Sequence, residues 1–244
     1  MKLINKRIVL NVPLLEYYDE LLKTYKGVVF LIHGHTGNKE FYDLQSLPLG
    51  FMNRGYFVVS IDAYKHGERM EEPYLTKSNT EMTVAMPEVI LHTIQDILDL
   101  FESVYSRISK TLIVSGTSMG GHIAFQIPKY YEEVTAIFPI IGTPDFRSHY
   151  YETKRAFLGE KIRLCREQVD SLAITELHPY LDTVIGIYNG SEDPIVEVQY
   201  VRPFYQELLR KDHIHLEMKE YPVGHQVTEE MIHDLFDFID KEMA

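Results

Sequence analysis

The sequence predicts an α/β fold, in which a mostly parallel, twisted sheet is covered by helices on both faces. Short apolar runs recur along the 244 residues, and an amphipathic segment follows each of them. Five of the six runs are nearly continuous in valine, isoleucine, leucine and phenylalanine, which is typical of strands buried on both faces. Strands that alternate with helices imply right-handed crossovers, and therefore parallel neighbours.

The predicted strands cover residues 27–32, 57–61, 112–115, 134–140, 184–188 and 215–221. The sixth run alternates polar and apolar side chains, unlike the other five. This alternation favours an edge strand, because only one of its faces needs to be apolar.

The predicted helices cover residues 39–54, 120–131, 196–211 and 228–241, with one more that starts near Pro87. In that additional helix, apolar residues between Ile90 and Val104 recur every three or four positions, which gives it one buried face. Proline is well suited to the first turn of a helix. No long linker rich in glycine, serine or proline interrupts the pattern, so we expect residues 1–244 to form a single domain.

The connection at residues 141–182 is too long for a bare loop in a compact domain. It contains helix-like sequence at residues 154–172 and several aromatic residues. We expect a small helical cap insertion over the C-terminal edge of the sheet, with an ordinary helix pair packed on one face as the alternative. Phe146, Tyr150 and Tyr151 follow the preceding strand most closely and are therefore the expected wall of a substrate pocket.

Composition and charge argue against several classes of function, among them nucleic-acid binding and membrane binding. The net charge of −12 repels phosphate backbones and anionic lipids, so we expect neither a nucleic-acid nor a membrane partner. The single cysteine, Cys165, cannot form an internal disulfide. The first apolar run is too short for the core of a signal peptide, and no stretch is long enough to span a membrane. These features predict a soluble, cytoplasmic protein.

The most informative motif is the pentapeptide Gly116-Thr117-Ser118-Met119-Gly120. It directly follows a predicted strand and directly precedes a predicted helix, which is the context of a nucleophile elbow. In such a turn the serine has a strained backbone, and the glycines avoid clashes where side chains would crowd. Ser118 is therefore the candidate nucleophile.

A serine hydroxyl needs a base, and the base needs an orienting acid. Asp193 lies just beyond the fifth predicted strand, and His225 lies just beyond the sixth. The chain order Ser, Asp, His is the one expected of hydrolases with a nucleophile elbow. Of the nearby rivals, Glu192 would point the opposite way in an extended chain, and Asp182 precedes its strand.

The expected oxyanion donors are the backbone N–H groups of Met119 and His35. His35 lies in the glycine-containing loop after the first long strand, where backbone donors can turn toward a developing oxyanion. A metal site at His33 and His35 is the weaker interpretation, because no carboxylate or cysteine flanks them at a ligand spacing. We therefore expect no metal and no cofactor.

The combined pattern resembles the α/β-hydrolase superfamily. It comprises His33-Gly34-x-x-Gly37, Gly116-x-Ser118-x-Gly120, Asp193 and His225. Gly121 and the segment at residues 62–69 make the chain similar to the prolyl-oligopeptidase-like and dienelactone-hydrolase-like small esterases. The resemblance spans about residues 27–225. One departure matters: dienelactone hydrolases carry a cysteine nucleophile where this chain has Ser118.

The resemblance and the motifs together predict a serine hydrolase that cleaves small-molecule carboxylic esters through an acyl-enzyme on Ser118. The same residues would serve a small peptidase or a thioesterase, and a non-catalytic binding protein on this scaffold is a third hypothesis. Tyr64 and His66 are further candidates for the substrate pocket. We expect the chain to act as a monomer or a homodimer.

Overall fold

The computed structural model describes residues 1–41, 46–71 and 77–243, apart from the side chains of residues 155 and 156. These residues build one eight-stranded sheet. Its strands are β1 (Lys2–Val9), β2 (Val12–Asp19), β3 (Val28–Ile32), β4 (Phe57–Ile61), β5 (Leu112–Thr117), β6 (Ala136–Ile140), β7 (Val184–Gly190) and β8 (Leu216–Tyr221).

The strand order is β1-β2-β4-β3-β5-β6-β7-β8. The six strands β3 to β8 are parallel to one another, whereas β1 and β2 are antiparallel to each other and β2 is antiparallel to β4. The prediction of a mostly parallel sheet is confirmed, and β8 lies at the edge as its alternating pattern indicated.

The hairpin of β1 and β2 is the part of the sheet that the sequence analysis missed. Most of β1 is exposed, so it lacks the buried apolar run on which the other strands were recognised. Leu10 and Asn11 form its turn with φ angles of 50° and 64°. This left-handed pair is typical of a two-residue hairpin, but the usual Asn-Gly signal is absent from the sequence.

The helices are α1 (Ser46–Asn53), α2 (Asn79–Ser103), α3 (Met119–Tyr130), α4 (Phe146–Leu158), α5 (Arg166–Ser171), α6 (Arg202–Arg210) and α7 (Glu229–Glu242). Residues 39–41 are not helical, and residues 42–45 of the predicted first helix lie outside the described part of the chain. Residues 198–200 form a separate short 3-10 turn ahead of α6.

The predicted start of the second helix near Pro87 is wrong. The helix begins eight residues earlier at Asn79, where Ser78 and Glu81 form a reciprocal capping box. Pro87 therefore lies inside the helix and cannot donate a hydrogen bond to the carbonyl of Thr83, four residues before it. The hydroxyl of Tyr150, on α4, donates to that carbonyl instead, at 2.8 Å.

Helices cover both faces of the sheet, as predicted. Val28, Phe30 and Ile32 of β3 join a core that also contains apolar residues of α2, α3 and α4. Val29 and Leu31 face the other way, into a core shared with α1 and α7. No helix in the described part of the chain is long and apolar enough to cross a membrane.

The connection at residues 141–182, called the insertion below, contains α4, a 3-10 helix at Gly159–Cys165, α5 and a short 3-10 turn at His178–Tyr180. It packs against α2. Its first helix begins at Phe146, earlier in the chain than the helix-like sequence had indicated.

Candidate active site

The turn between β5 and α3 holds Ser118 in a strained backbone conformation, with φ 53° and ψ −110°. Close packing against β3 explains the two flanking glycines. A Cβ atom on Gly120 would lie 2.1 Å from the carbonyl oxygen of Ile32, and one on Gly116 would lie 2.6 Å from the same atom. Any side chain at either position would push the turn away from the sheet, so the strained turn requires glycine there.

Ser118, His225 and Asp193 form a continuous hydrogen-bonded chain. The Oγ atom of Ser118 lies 2.9 Å from Nε2 of His225. Nδ1 of His225 lies 2.7 Å from Oδ2 of Asp193. The three residues come from loops after β5, β8 and β7, whose carboxyl ends meet at one edge of the sheet because these strands are parallel.

Asp193 is held in place by more than the histidine. Its Oδ1 atom accepts hydrogen bonds from the backbone N–H groups of Ile195 and Val196, at 2.8 and 3.0 Å. Burial raises the pKa of Asp193, but the hydrogen bonds from His225, Val196 and Ile195 outweigh that effect, so its pKa is lowered. The carboxylate therefore stays ionised and orients Nδ1 of the imidazole as a donor.

The loop after β3 lies beside the nucleophile. A Cβ atom built on Gly34 would be 3.5 Å from Cβ of Ser118, so the next backbone N–H group, that of His35, is close to the serine. Met119 is the first residue of α3, and its N–H group has no partner within the helix. His35 and Met119 therefore both lie beside Ser118, and the oxyanion role of their N–H groups remains a prediction.

His33 fixes the conformation of this loop. Its Nδ1 atom donates to the carbonyl of Gly34 at 2.7 Å, and its Nε2 atom accepts from the N–H group of Ala63 at 3.1 Å. Burial lowers the pKa of His33 to about 4, so the ring is neutral at neutral pH. Because both ring nitrogens are used, His33 has no free nitrogen for a metal ion.

A buried ion pair anchors the same loop to the loop after β4. The carboxylate of Asp62 accepts from both the backbone N–H group and the Nζ atom of Lys39, each at 2.8 Å, and from the N–H group of Glu68 at 2.9 Å. Lys39 and Asp62 are almost fully buried. Asp62 belongs to the family-like segment at residues 62–69, but its partner Lys39 was not recognisable from the sequence, because the two residues are 23 positions apart.

A cavity of about 490 Å³ opens over Ser118, and we call it the Ser118 cavity. Its volume suits a small-molecule substrate. Its lining residues come from the loops around the serine, from α2, α3 and the insertion, and they are Gly34, His35, Phe41, Thr83, Met86, Thr117, Ser118, Met119, His122, Ile141, His149, Lys154, Ile195, Val196, His225, Gln226 and Val227.

Phe146, Tyr150 and Tyr151, the expected pocket wall, are not among the residues that line this cavity. Phe146 and Tyr150 are buried in the core, with 1% and 0% of their surface exposed. Tyr151 is turned outward, and its hydroxyl donates to Asp170. The sequence identified these residues by their place after a strand, but the rotation of α4 about its axis decides where each side chain lies.

The two other pocket candidates also lie outside the cavity lining. Tyr64 stacks on His92 with ring centroids 4.3 Å apart. His66 is buried behind the loop after β3, where its Nδ1 atom lies 2.8 Å from the carbonyl of Tyr64 and its Nε2 atom lies 3.4 Å from Nδ1 of His35. His66 therefore touches a predicted oxyanion residue instead of the cavity.

Three titratable side chains that line the cavity were missed: His122, His149 and Lys154. His122 follows Ser118 by one helical turn on α3, so its position relative to the nucleophile was readable from the sequence. Its Nδ1 atom accepts from the N–H group of Thr143 at 3.0 Å, and burial lowers its pKa to about 4. His149 and Lys154 lie on α4, and no sequence signal pointed to them.

Comparisons with known sequences and solved structures show which family and which fold this chain matches. The sequence matches the model of the dienelactone hydrolase family over residues 21–234. No curated protein matches it significantly. Among solved structures, TT1662 from Thermus thermophilus matches with a TM-score of 0.74 and 20% identity, covering 100% of this chain and 98% of that one.

Two further structures carry descriptive names. The esterase Pf2001 from Pyrococcus furiosus matches with a TM-score of 0.65 and 18% identity, over 100% of this chain and 93% of that one. An acylaminoacyl peptidase from Pyrococcus horikoshii matches with a TM-score of 0.70 and 14% identity, over 99% of this chain but only 41% of that one. At such identities the superpositions establish the fold. Since the family model covers most of the sequence, the chain belongs to the dienelactone hydrolase family and is an enzyme of the α/β-hydrolase fold.

Proposed function

We propose that the chain is a serine hydrolase that cleaves carboxylic esters through an acyl-enzyme on Ser118. The observation that carries this proposal is the hydrogen-bonded chain from Ser118 through His225 to Asp193. A base at 2.9 Å from the hydroxyl is within reach to take its proton, and a buried carboxylate holds the base in the required tautomer.

The reaction then proceeds in two halves. Ser118 Oγ attacks the ester carbonyl while its proton passes to Nε2 of His225, and the N–H groups of Met119 and His35 stabilise the tetrahedral oxyanion. The imidazolium returns that proton to the departing alcohol, which leaves an acyl group on Ser118. Water then gives a proton to Nε2 of the same histidine as it attacks the acyl-enzyme, and the imidazolium returns that proton to Ser118 Oγ as the bond to the acyl group breaks and the acid leaves.

The names of two structural neighbours point to different classes of acyl substrate, an ester in one case and a peptide in the other. The Pyrococcus furiosus protein is named an esterase and has nearly the length of this chain. The Pyrococcus horikoshii protein is named a peptidase, and this chain spans less than half of it. Ester hydrolysis is therefore the first proposal, and amide or thioester hydrolysis by the same three residues is the second.

A fluorophosphonate probe tests the nucleophile, because it phosphonylates an activated serine. We expect mass spectrometry to place the label on Ser118 and Ser118→Ala to abolish it. Ser115→Ala is the matched control: that hydroxyl lies three residues earlier and donates to the carbonyl of Phe138. Labelling that survives in Ser118→Ala would place the nucleophile at another residue, and labelling that is absent from the wild-type chain would favour a non-catalytic role; either result contradicts the proposal.

A substrate panel tests the reaction class. 4-Nitrophenyl esters of increasing acyl length, a thioester and an amide of one acyl group should be compared by kcat/KM. We expect the ester to be the best substrate of the three matched acyl donors. A higher kcat/KM for the amide or the thioester would replace the first proposal with the second.

A further inference from the structure

The two edges of the sheet differ in what they expose. At one edge, β8 packs Leu216 and Met218 against the core, and its Lys219 and Glu220 form ion pairs with α7 and α6. At the other edge, only two of the eight residues of β1 are even partly buried. The outer edge of β1 is therefore open to pairing with another strand.

Exposed apolar residues are concentrated beside this edge. Thirteen large apolar residues are exposed in the described part of the chain, and six of them lie within residues 1–22. Ile4 and Ile8 of β1 are 62% and 69% exposed. They are four positions apart in a strand, so both side chains lie on the same face. Contiguous exposed apolar surface of this kind is typical of a protein–protein contact.

The backbone of the same face points away from β2. The N–H group of Glu20 donates to the carbonyl of Met1, so Met1 and the odd-numbered residues of β1 bond to β2. The even-numbered residues direct their N–H and C=O groups toward the outer edge. Ile4, Lys6 and Ile8 therefore present a row of backbone donors and acceptors together with two exposed isoleucine side chains.

Charge does not prevent two copies of this edge from meeting. The chain has a net charge of −12, but residues 1–20 contain three lysine or arginine residues and three aspartate or glutamate residues. Lysines commonly protect an edge strand from pairing. Here they bind within their own chain, since Nζ of Lys6 lies 2.6 Å from Glu68 and Lys2 donates to Asn53. The edge is close to neutral, whereas the rest of the surface repels a second copy.

We propose that the chain forms a homodimer in which β1 of one protomer pairs with β1 of its partner, antiparallel and about a twofold axis. The register places Ile4 of each protomer opposite Ile8 of the other, and Lys6 opposite its own copy at the axis. All these pairs are of the hydrogen-bonded type, because their backbone groups point outward in both protomers. The apolar pair occurs twice by symmetry. Glu68 stays beside each Lys6, so the two ammonium groups at the axis keep their counter-ions.

The proposal is independent of the catalytic one. No residue of β1 is among the described residues that line the Ser118 cavity. Sedimentation velocity over a range of protein concentrations measures the dimer directly. Pairing of two strand edges buries less surface than an obligate dimer, so we expect a Kd of roughly 1–100 μM.

A lysine in place of one isoleucine tests the contact. Each dimer contains residue 8 twice, so Ile8→Lys replaces both apolar pairs and adds two cations. We expect it to raise the Kd at least about 10-fold. The matched control is Ile214→Lys near the opposite edge of the sheet, where Ile214 is 77% exposed, and its Kd should stay within about twofold of wild type. Urea unfolding of dilute samples checks that both variants remain folded.

A cysteine at the axis tests the register. The single native cysteine, Cys165, is buried, so it gives little background cross-linking. Lys6→Cys places two thiols opposite each other with Cα atoms about 5.5 Å apart, which a disulfide can span. We expect mild oxidation to yield a disulfide-linked dimer, and Ile214→Cys to stay unlinked. Lys6→Ser, a similar change without the thiol, shows by its Kd whether losing Lys6 alone weakens the dimer.

Three results would overturn the proposal, and none of them bears on ester hydrolysis. The first is a wild-type chain that stays monomeric at about ten times the expected range of Kd. The second is a dimer that Ile8→Lys leaves unchanged, or that Ile214→Lys weakens equally, because the interface would then lie elsewhere. The third is a Lys6→Cys chain that does not cross-link although Lys6→Ser still dimerises, because β1 would then not pair with itself in this register.

Discussion

Two regions border the same cavity: the loops that follow β5, β7 and β8, and the insertion at residues 141–182. The sequence predicts the positions of side chains more accurately in the loops than in the insertion. In the loops, Ser118, Asp193 and His225 meet at hydrogen-bonding distances. In the insertion, the aromatic residues expected on the cavity wall are core residues or surface residues, and polar residues of α4 line the cavity. Parallel strands bring their carboxyl ends to one edge whatever the details of packing, whereas the face that a helix presents depends on its rotation against its neighbours.

The largest expected effect concerns Asp193, the acid of the three proposed catalytic residues. Asp193→Asn should lower kcat about 10⁴-fold, because an amide no longer accepts from Nδ1 of His225 in the required tautomer. Stability should change little, since the amide oxygen can still accept from the N–H groups of Ile195 and Val196. Ester hydrolysis and urea unfolding of the same samples check both statements.

The adjacent carboxylate provides the control for that experiment. Glu192 is exposed, and we expect Glu192→Gln to keep kcat within about twofold of wild type. If Glu192→Gln were the inactive variant, the acid would be misassigned and the loop after β7 would be as poorly predicted as the insertion.

These loops also show how far sequence reasoning extends. A buried strand followed by Gly-x-Ser-x-Gly and a helix is enough to place Ser118, because the close packing of this turn against β3 leaves no room for a side chain at either glycine. The buried pair of Lys39 and Asp62 was not predictable, since nothing in either residue's local sequence specifies a partner 23 positions away. The start of α2 was predictable in principle from the capping pair Ser78 and Glu81. The helix was predicted to begin near Pro87 instead, because proline is common in the first turn of a helix.

The second prediction tests the reassignment of Phe146 from the cavity wall to the core. Its ring packs against those of His122 and Tyr150, with centroids 5.2 and 5.3 Å away. Phe146→Ala should lower the free energy of unfolding by about 3–5 kcal/mol and leave the preferred acyl length unchanged. Phe157→Ala, on the same helix but 55% exposed, should cost less than about 1 kcal/mol. A shifted acyl-length profile with unchanged stability would return Phe146 to the cavity wall.

The third prediction concerns the pH dependence of stability. Burial lowers the pKa of His149 in the folded chain to about 3, while an unfolded histidine titrates near 6.5. Between these values the unfolded state binds more protons, so the free energy of unfolding must fall as the pH falls through this window. His149 alone should contribute about 2–3 kcal/mol of loss between pH 6.5 and 4.5.

Urea titrations of wild type and His149→Phe at several pH values isolate that contribution. The variant should lose less stability than wild type on acidification, by about the amount given for one histidine. His33 and His122, whose pKa values are also lowered to about 4 by burial, should keep the variant acid-sensitive. Parallel stability curves for the two proteins would mean that the ring of His149 is accessible to protons in the folded state.

The smallest expected effect is the most direct test of how the insertion is attached to α2. Pro87 leaves the carbonyl of Thr83 without its helical donor, and the Tyr150 hydroxyl supplies the missing hydrogen bond at 2.8 Å. Tyr150→Phe keeps the ring in the core but removes that donor, so we expect a loss of about 1–2 kcal/mol in the free energy of unfolding. Tyr151→Phe is the matched control, because its hydroxyl bonds the exposed side chain of Asp170, and its loss should stay below about 0.5 kcal/mol. Equal losses in the two variants would show that the Thr83 carbonyl finds another partner, and that the insertion is held to α2 by apolar packing alone.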